Sequence, residues 1–190
     1  MTKFKLGLIV GSNRRESINR KLAQALAKLG TGQFDAKIIS IDDLPLYNQD
    51  LEAALPASVM RFKSEIAGSD ALLFVTPEHS RSIPAVLKNA IDWGARPWGK
   101  TSWPGKPAAV IGTSGGAIST AIAQQHLRAV LGDLGLHIVG GKAYILFKPD
   151  LIDAQGAVTD DSVRTFLKSF IDQFAVFAGK FVPQRTAAAA

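Results

Sequence analysis

Lys5-Leu6-Gly7-Leu8-Ile9-Val10 runs directly into Gly11-Ser12-Asn13-Arg14-Arg15-Glu16-Ser17-Ile18-Asn19, and this stretch decides the fold. The first half is a short apolar run of the kind buried on both faces of a parallel sheet. The second half is a loop of hydroxyls and arginines that ends at a helix start, with Ser17 as N-cap. The helix follows at once, because Ile18, Leu22, Leu26 and Leu29 recur on one face.

The same alternation continues along the chain. Residues 36–41, 71–75, 108–111 and 143–147 read as four further strands. Between and after them lie helical stripes: Val59, Phe62 and Ile66; Leu87, Ala90 and Ile91; Leu127, Val130, Leu131 and Leu134. The last stripe is the longest, from Val163 through Phe166, Leu167, Phe170, Ile171 and Phe174 to Phe177, with Asp160 and Asp161 at its favourable N-terminal end. Strand and helix repeated five times specify a three-layer α/β sandwich with right-handed crossovers. No internal repeat or linker divides it, so residues 1–182 are expected to form one domain, with 183–190 a disordered tail.

Composition narrows the function. The 190 residues are 47% hydrophobic and 20% charged, as in an ordinary globular protein rather than a disordered chain or coiled coil. There is no cysteine, which excludes a thiol nucleophile, a CxxC redox pair and an iron–sulfur cluster. Any redox chemistry must then be carried by a bound cofactor. Three scattered histidines offer no metal-site spacing. No apolar run spans a bilayer, and the first residues resemble an export signal only briefly, so no membrane association and a cytoplasmic location are expected. The net charge of +6 is scattered without a polybasic run, and no nucleic-acid partner is expected.

In such folds ligands bind at the carboxyl ends of the strands, which points to the loops after strands one, three and four. The first offers a helix N-terminus, with Ser12, Ser17 and Asn19 as donors and Arg14 as a cation, a receptive place for a phosphate. It lacks the later glycines of GxGxxG, and no GxxxxGK[ST] occurs. Asp42, after strand two, reads as a turn residue. The loop Thr76-Pro77-Glu78-His79-Ser80-Arg81-Ser82-Ile83-Pro84 holds a rigid stretch whose backbone edge suits a flat heteroaromatic ring, while Glu78 and His79 read as solvated surface. Gly112-Thr113-Ser114-Gly115-Gly116 matches the GxSxG nucleophile elbow of serine hydrolases. The required order of Ser, acid and His leaves only Asp133 with His137, four residues apart, so an esterase built on Ser114 is a minor alternative. Lys88 and Asp92 are spaced for an i,i+4 ion pair. Trp93, Trp98 and Trp103 either stack on bases, line a subunit interface or pack against their own domain.

Taken together these residues resemble the NADPH-dependent FMN reductase family of the flavodoxin-like fold, especially its quinone and chromate reductase branch. The resemblance spans residues 6–148 and is carried by three pieces: Pro77-Glu78-His79-Ser80-Arg81-Ser82-Ile83-Pro84-Ala85-Val86-Leu87-Lys88-Asn89-Ala90-Ile91-Asp92-Trp93, Gly11-Ser12-x-Arg14-xx-Ser17-x-Asn19, and Leu44-Pro45-Leu46-Tyr47-Asn48-Gln49-Asp50. It implies a five-stranded parallel sheet of order 2-1-3-4-5. It implies FMN phosphate on Ser12, Arg14, Ser17, Ile18 and Asn19, and the isoalloxazine edge on Pro77, Glu78, His79 and Ser80. Thr113, Ser114, Gly115 and Gly116 would lie beside the ring, and Arg81, Tyr47 and Asn48 would meet substrate. The family pattern reads P-E-Y-N with Gly after the second proline; this chain has His79, Ser80 and Ala85 instead.

The implied activity is ping-pong transfer of hydride from NADPH or NADH through FMN to a quinone or a metal oxyanion such as chromate, without a catalytic side chain. Arg14, Arg15 and Arg81 would favour reduced FMN and attract anions. A homodimer or homotetramer is implied, with 44–55 and 98–103 as contributors to the subunit boundary. A flavodoxin-type electron carrier is the alternative, although such carriers are typically acidic.

Overall fold

The computed structural model describes residues 3–182; the expected tail at 183–190 lies outside the described residues. Strands β1 (Phe4–Val10), β2 (Phe34–Ile38), β3 (Ala71–Val75), β4 (Pro107–Ser114), β5 (His137–Ile138) and β6 (Tyr144–Leu146) form one sheet. Helices α1 (Ile18–Leu29), α2 (Ala57–Ala67), α3 (Ala85–Ala95), α4 (Ala121–Asp133) and α5 (Asp161–Ala178) cover its two faces. The order is β2-β1-β3-β4-β5 with every pair parallel, the flavodoxin-like arrangement expected from the sequence.

Apart from β2, which spans Phe34–Ile38 rather than residues 36–41, two differences from the sequence reading stand out. The fifth position is shared by two short strands: β5 pairs with the start of β4 at Pro107 and Ala108, and β6 with its end from Gly112 to Ser114. Between them the chain leaves the ladder through Gly140 and Gly141, the latter at φ 97°. The guanidinium of Arg128 fills the gap, donating to the carbonyls of Val139 at 2.8 Å and Val110 at 3.2 Å. The second difference matters for function: β4 continues to Ser114, well past the last β3 pairing at Val75 and Ile111.

Each face of the sheet buries its own core. Leu22 and Leu26 of α1 and Leu167, Ile171 and Phe174 of α5 pack with Leu6, Leu8 and Val10 on one side. Phe62 and Ile66 of α2, Leu87 and Ile91 of α3 and Leu127 and Leu131 of α4 pack with Ile9, Phe74 and Val110 on the other. Trp93 and Trp103 are both fully buried in that second core, so of the three tryptophans only Trp98, 86% exposed, is available to a partner. Trp103 lies against Gly94 so closely that a Cβ there would sit 2.1 Å from its ring, and its Nε1 donates to the Ile91 carbonyl at 3.0 Å. Burying one such side chain contributes roughly 1.5–3 kcal/mol.

Helix starts follow the sequence. Ser17 caps α1 through its hydroxyl, and Asp160 caps α5 by accepting from the N–H groups of Ser162 and Val163. Pro56 and Pro84 precede α2 and α3. Lys88 and Asp92 pair at 2.7 Å, as their spacing requires. Asp42 receives Arg20 of α1 at 3.3 Å, which fixes the turn after β2.

Candidate functional site

The loops after β1, β3 and β4 meet at one edge of the sheet, and specific contacts hold them there. The main chain of Thr113 faces the side on which β3 has already ended. Its N–H donates to Asn19 Oδ1 and its carbonyl accepts from Asn19 Nδ2, both at 3.0 Å. Asn19 is 1% exposed. An Asn amide carries donor and acceptor side by side, so it stands in for a missing strand residue and ties the start of α1 to the end of β4. Leaving the two Thr113 groups unpaired would cost about 1–3 kcal/mol each. The amide expected to reach a phosphate is thus committed to Thr113.

The loop after β3 crosses β4 at Gly112. A Cβ at Gly112 would lie 2.0 Å from the Thr76 carbonyl oxygen and 2.4 Å from Thr120 Oγ1, so only glycine allows the crossing. Beyond it, the sequence reading of Glu78 as solvated surface is wrong. Its side chain is 6% exposed, and Oε2 accepts from the N–H groups of Ile122 and Ala123, both at 3.0 Å. Thr120, the residue before α4, provides no side-chain cap, and Glu78 supplies one from a distant loop. Its other oxygen takes Arg81 Nη1 at 3.0 Å. Burial pushes this carboxyl's pKa up, but the Ala123 N–H, Arg81 and the Ile122 N–H outweigh it and hold the group below its ordinary value.

His79, Ser80, Arg81 and Ser82 make a tight turn closed by His79 N–H to the Ser82 carbonyl at 3.1 Å and the reverse bond at 2.9 Å. Ser80 and Arg81 have φ of 48° and 59°. Residues with side chains are uncommon in that left-handed region, and each costs on the order of 1–2 kcal/mol there. Ser82 Oγ also meets His126 Nδ1 of α4 at 3.1 Å. His79 and Ser80 are exposed, and Pro77 is half-buried.

The remaining expected residues fall into two groups. Ser12 is half-buried, Arg14 and Arg15 are exposed, and Ser17 is buried with its hydroxyl on the Arg20 N–H at 3.2 Å. Ile18 opens α1. Ser114 Oγ accepts from the Gly116 N–H at 3.2 Å, and His126 stands on Ser82 rather than on Ser114, so no hydrolase dyad forms between them. Nothing lies within 4 Å of where a Cβ would be at Gly115, and at Gly116 only Ser114 Oγ does, at 3.6 Å. A cavity of about 360 Å³ opens between these loops, lined by Glu78, Arg81, Ser114, Gly116 and Ser119 among others.

Tyr47 and Asn48 lie in the segment that runs along α3. The Tyr47 N–H donates to Asn89 Oδ1 at 2.8 Å, and its ring meets Trp93 edge-on at 5.1 Å. Its hydroxyl donates to Glu52 at 2.6 Å, a bond that pushes its pKa up. Asn48 Oδ1 accepts from the Asp50 N–H at 3.0 Å. In the pattern Leu44-Pro45-Leu46-Tyr47-Asn48, Leu44, Pro45 and Tyr47 pack or bond against the domain and Asn48 caps a turn, while Leu46 is exposed. A larger cavity of about 790 Å³ lies away from the three loops, between α1, β2 and residues 152–156.

Comparison with known proteins agrees with the geometry. Residues 4–148 match the family model for NADPH-dependent FMN reductases. A 2-hydroxy-1,4-benzoquinone reductase from a Burkholderia species is 47% identical over 175 residues, which cover 92% of this chain and 96% of the relative. A quinone reductase from Pseudomonas putida is 47% identical over 174 residues, 90% of this chain and 93% of its own. The solved structure of FerB, a flavoenzyme NAD(P)H:(acceptor) oxidoreductase from Paracoccus denitrificans, superposes with a TM-score of 0.92 at 44% identity, covering 95% of this chain and all of that one.

The Glu78 contact has a pH signature. A carboxyl whose folded pKa is depressed stabilises the fold above its unfolded pKa and loses that contribution as pH falls through the folded value. Stability to urea is expected to drop as pH is lowered below about 4.3, the ordinary glutamate value. Asp160, also held below its usual range by its bonds to Ser162 and Val163, adds to that drop. Glu78→Gln removes the first contribution and should flatten the profile; an unchanged slope would show that the Glu78 contact does not depend on ionisation.

Proposed function

Because the chain belongs to the NADPH-dependent FMN reductase family, we propose that FMN lies across the three tied loops and that the protein passes reducing equivalents from NAD(P)H to a quinone. The observation that carries this reading is the Asn19–Thr113 contact, which sets the helix start after β1 and the glycine-rich end of β4 on one rim. The residues present fit the cofactor. The first-turn N–H groups of α1 have no intrahelical acceptor and favour a phosphate, with Ser12 and Arg14 beside them. The open space over Gly115 and Gly116 would take a flat ring, whose edge Pro77, Glu78, His79 and Ser80 of the loop after β3 would hold. Asn19 contributes by bracing Thr113, Tyr47 by holding its segment on α3, and Asn48 by capping the turn that follows.

Bound FMN would supply hydride acceptance and release, with the overall change NAD(P)H + H⁺ + quinone giving NAD(P)⁺ + hydroquinone. The protein's part is to orient and to shield. Glu78 keeps the α4 N-terminus and the 79–82 turn in place, and the cavity between the loops receives donor and acceptor in turn, which makes the kinetics ping-pong. The exposed cations Arg14, Arg15 and Arg81 extend the acceptor range to an oxyanion such as chromate.

A homo-oligomer is part of this reading. Leu46 and Trp98 are 82% and 86% exposed, and both segments are anchored at the end of α3. The Pro45 carbonyl accepts from Trp93 Nε1 and Asn89 Nδ2. The Lys63 ammonium donates to the carbonyls of Gly94, Arg96 and Lys100 at 3.2, 2.7 and 2.9 Å, which stiffens the loop that presents Trp98. Rigid, exposed aromatic and aliphatic side chains of this kind suit a second copy of the chain.

Two measurements test the proposal. The purified protein should be yellow, its flavin bands should bleach on anaerobic addition of NADPH, and a quinone should restore them. A protein that takes up no FMN overturns the reading. Sedimentation at micromolar concentration should give at least two chains per particle, and Trp98→Ala should shift the population toward one; a single-chain mass for the unaltered protein rejects the assembly.

A further inference from the structure

The cavity of about 790 Å³ between α1, β2 and residues 152–156 belongs to none of the three loops. It exists because the outermost strand is under-covered. Leu6, Leu8 and Val10 of β1 face α1 and α5 and are at most 3% exposed, whereas Ala36 and Ile38 of the edge strand β2 join the same core and stay half-buried. The side chains that border the opening are small: Ala27 of α1 on one side, Ala154 and Gly156 on the other. Interiors pack to the density of organic crystals, so an apolar opening of this size on an otherwise filled face is room for a ligand. Its third wall is fixed in place. Ile152 and Val158 are buried and pair across a short hairpin, Asp153 Oδ1 accepts from the Ala157 N–H at 2.8 Å, and the Lys28 ammonium donates to the Gln155 carbonyl.

Charge selects the occupant. Lys21 and Lys28 both line the cavity, two turns apart on one face of α1 and so about 10 Å apart along its axis. Neither forms an ion pair among the described residues. Lys28 is engaged by the Gln155 carbonyl on the hairpin that carries Asp153, the one carboxylate in the described lining, so Lys21 is the cation left over. No aromatic ring is present in that lining to stack a flat ligand; Ala27, Ala36, Ile38 and Ile152 offer methyl and methylene groups. We propose that this cavity binds a medium-chain aliphatic carboxylate, with its head on Lys21 and its chain over Ala36 and Ile38. Burial of the chain supplies the attraction, and the ammonium fixes its direction. Lying away from the three loops, the ligand is no reactant of the flavin; it ties α1, β2 and the hairpin together.

Octanoate, octanol and acetate separate the contributions of chain and charge. Calorimetry on the purified protein, below micelle-forming concentrations, should show saturable binding of octanoate, about tenfold weaker binding of octanol and none of acetate. Amide hydrogen exchange with octanoate present should slow in residues 21–28, 36–38 and 152–156 and stay unchanged in the loops after β3 and β4. Lys21→Gln should lower the octanoate affinity about tenfold and leave octanol unaffected, and salt should weaken octanoate alone. Ala36→Leu narrows the floor and should weaken both ligands. Octanol binding as tightly as octanoate, or an octanoate affinity indifferent to Lys21→Gln, overturns the carboxylate head on Lys21. No saturable binding, or protection confined to the three loops, overturns the site itself. Lys21 is exposed, so its variant decides the matter even if Ala36→Leu does not fold.

Discussion

Two hydrogen bonds between one side chain and the main chain of one residue hold the site together. β4 outruns β3, so Thr113 presents an N–H and a C=O to a position where no strand remains, and the Asn19 amide occupies it. Without that amide, two buried backbone groups would be unpaired and the end of β4 would have no lateral support on that side. With it, α1 begins where β4 ends. The other approaches then follow: Gly112 admits the Thr76 carbonyl, and Glu78 reaches across to α4. On the far side of β4, the hydroxyls of Thr113 and Ser119 both donate to the Ile145 carbonyl at 2.7 Å, which pulls the loop after β4 onto β6.

The two helix starts at this edge differ in what they can accept. Helix α4 is closed to an anionic ligand because the Glu78 carboxylate already occupies its first N–H groups. Helix α1 has only the Ser17 hydroxyl on the Arg20 N–H, together with two exposed arginines just upstream. The protein's own charges thus favour an anion at the start of α1 over the start of α4. The site is polarised: uncapped helix N–H groups and two exposed arginines at one end, a cation at the cavity between the other two loops, and glycine backbone between them. Such an arrangement suits a cofactor that performs the chemistry while the chain supplies orientation and charge.

Much of this was legible in the sequence. Runs such as Leu6–Val10 and Ala71–Val75 announce buried parallel strands because the residues are apolar throughout, and the stripes of α1 and α5 announce helices because their period is unambiguous. Ser17, Asp160 and the Lys88–Asp92 pair depend on neighbours a few residues away, and local reasoning finds them. The errors share one physical origin. Asn19 finds Thr113 across 94 residues and Glu78 finds Ala123 across 45, and such pairings leave no periodic trace. Splitting of the fifth strand was hidden because Arg128, on a helix, substitutes for the missing ladder. Gly112 gave a usable signal, as a glycine placed directly after an apolar strand marks a close backbone approach.

The central claim is that the protein assembles the three loops by itself, with Thr113 already held before any cofactor arrives. Amide hydrogen exchange of the flavin-free protein reads this at a single site. The Thr113 N–H is expected to exchange as slowly as the paired amides of β4, and to lose that protection in Asn19→Ala. A Thr113 amide that exchanges as fast as those of the exposed 115–118 segment, and becomes protected only when FMN is added, would contradict the account.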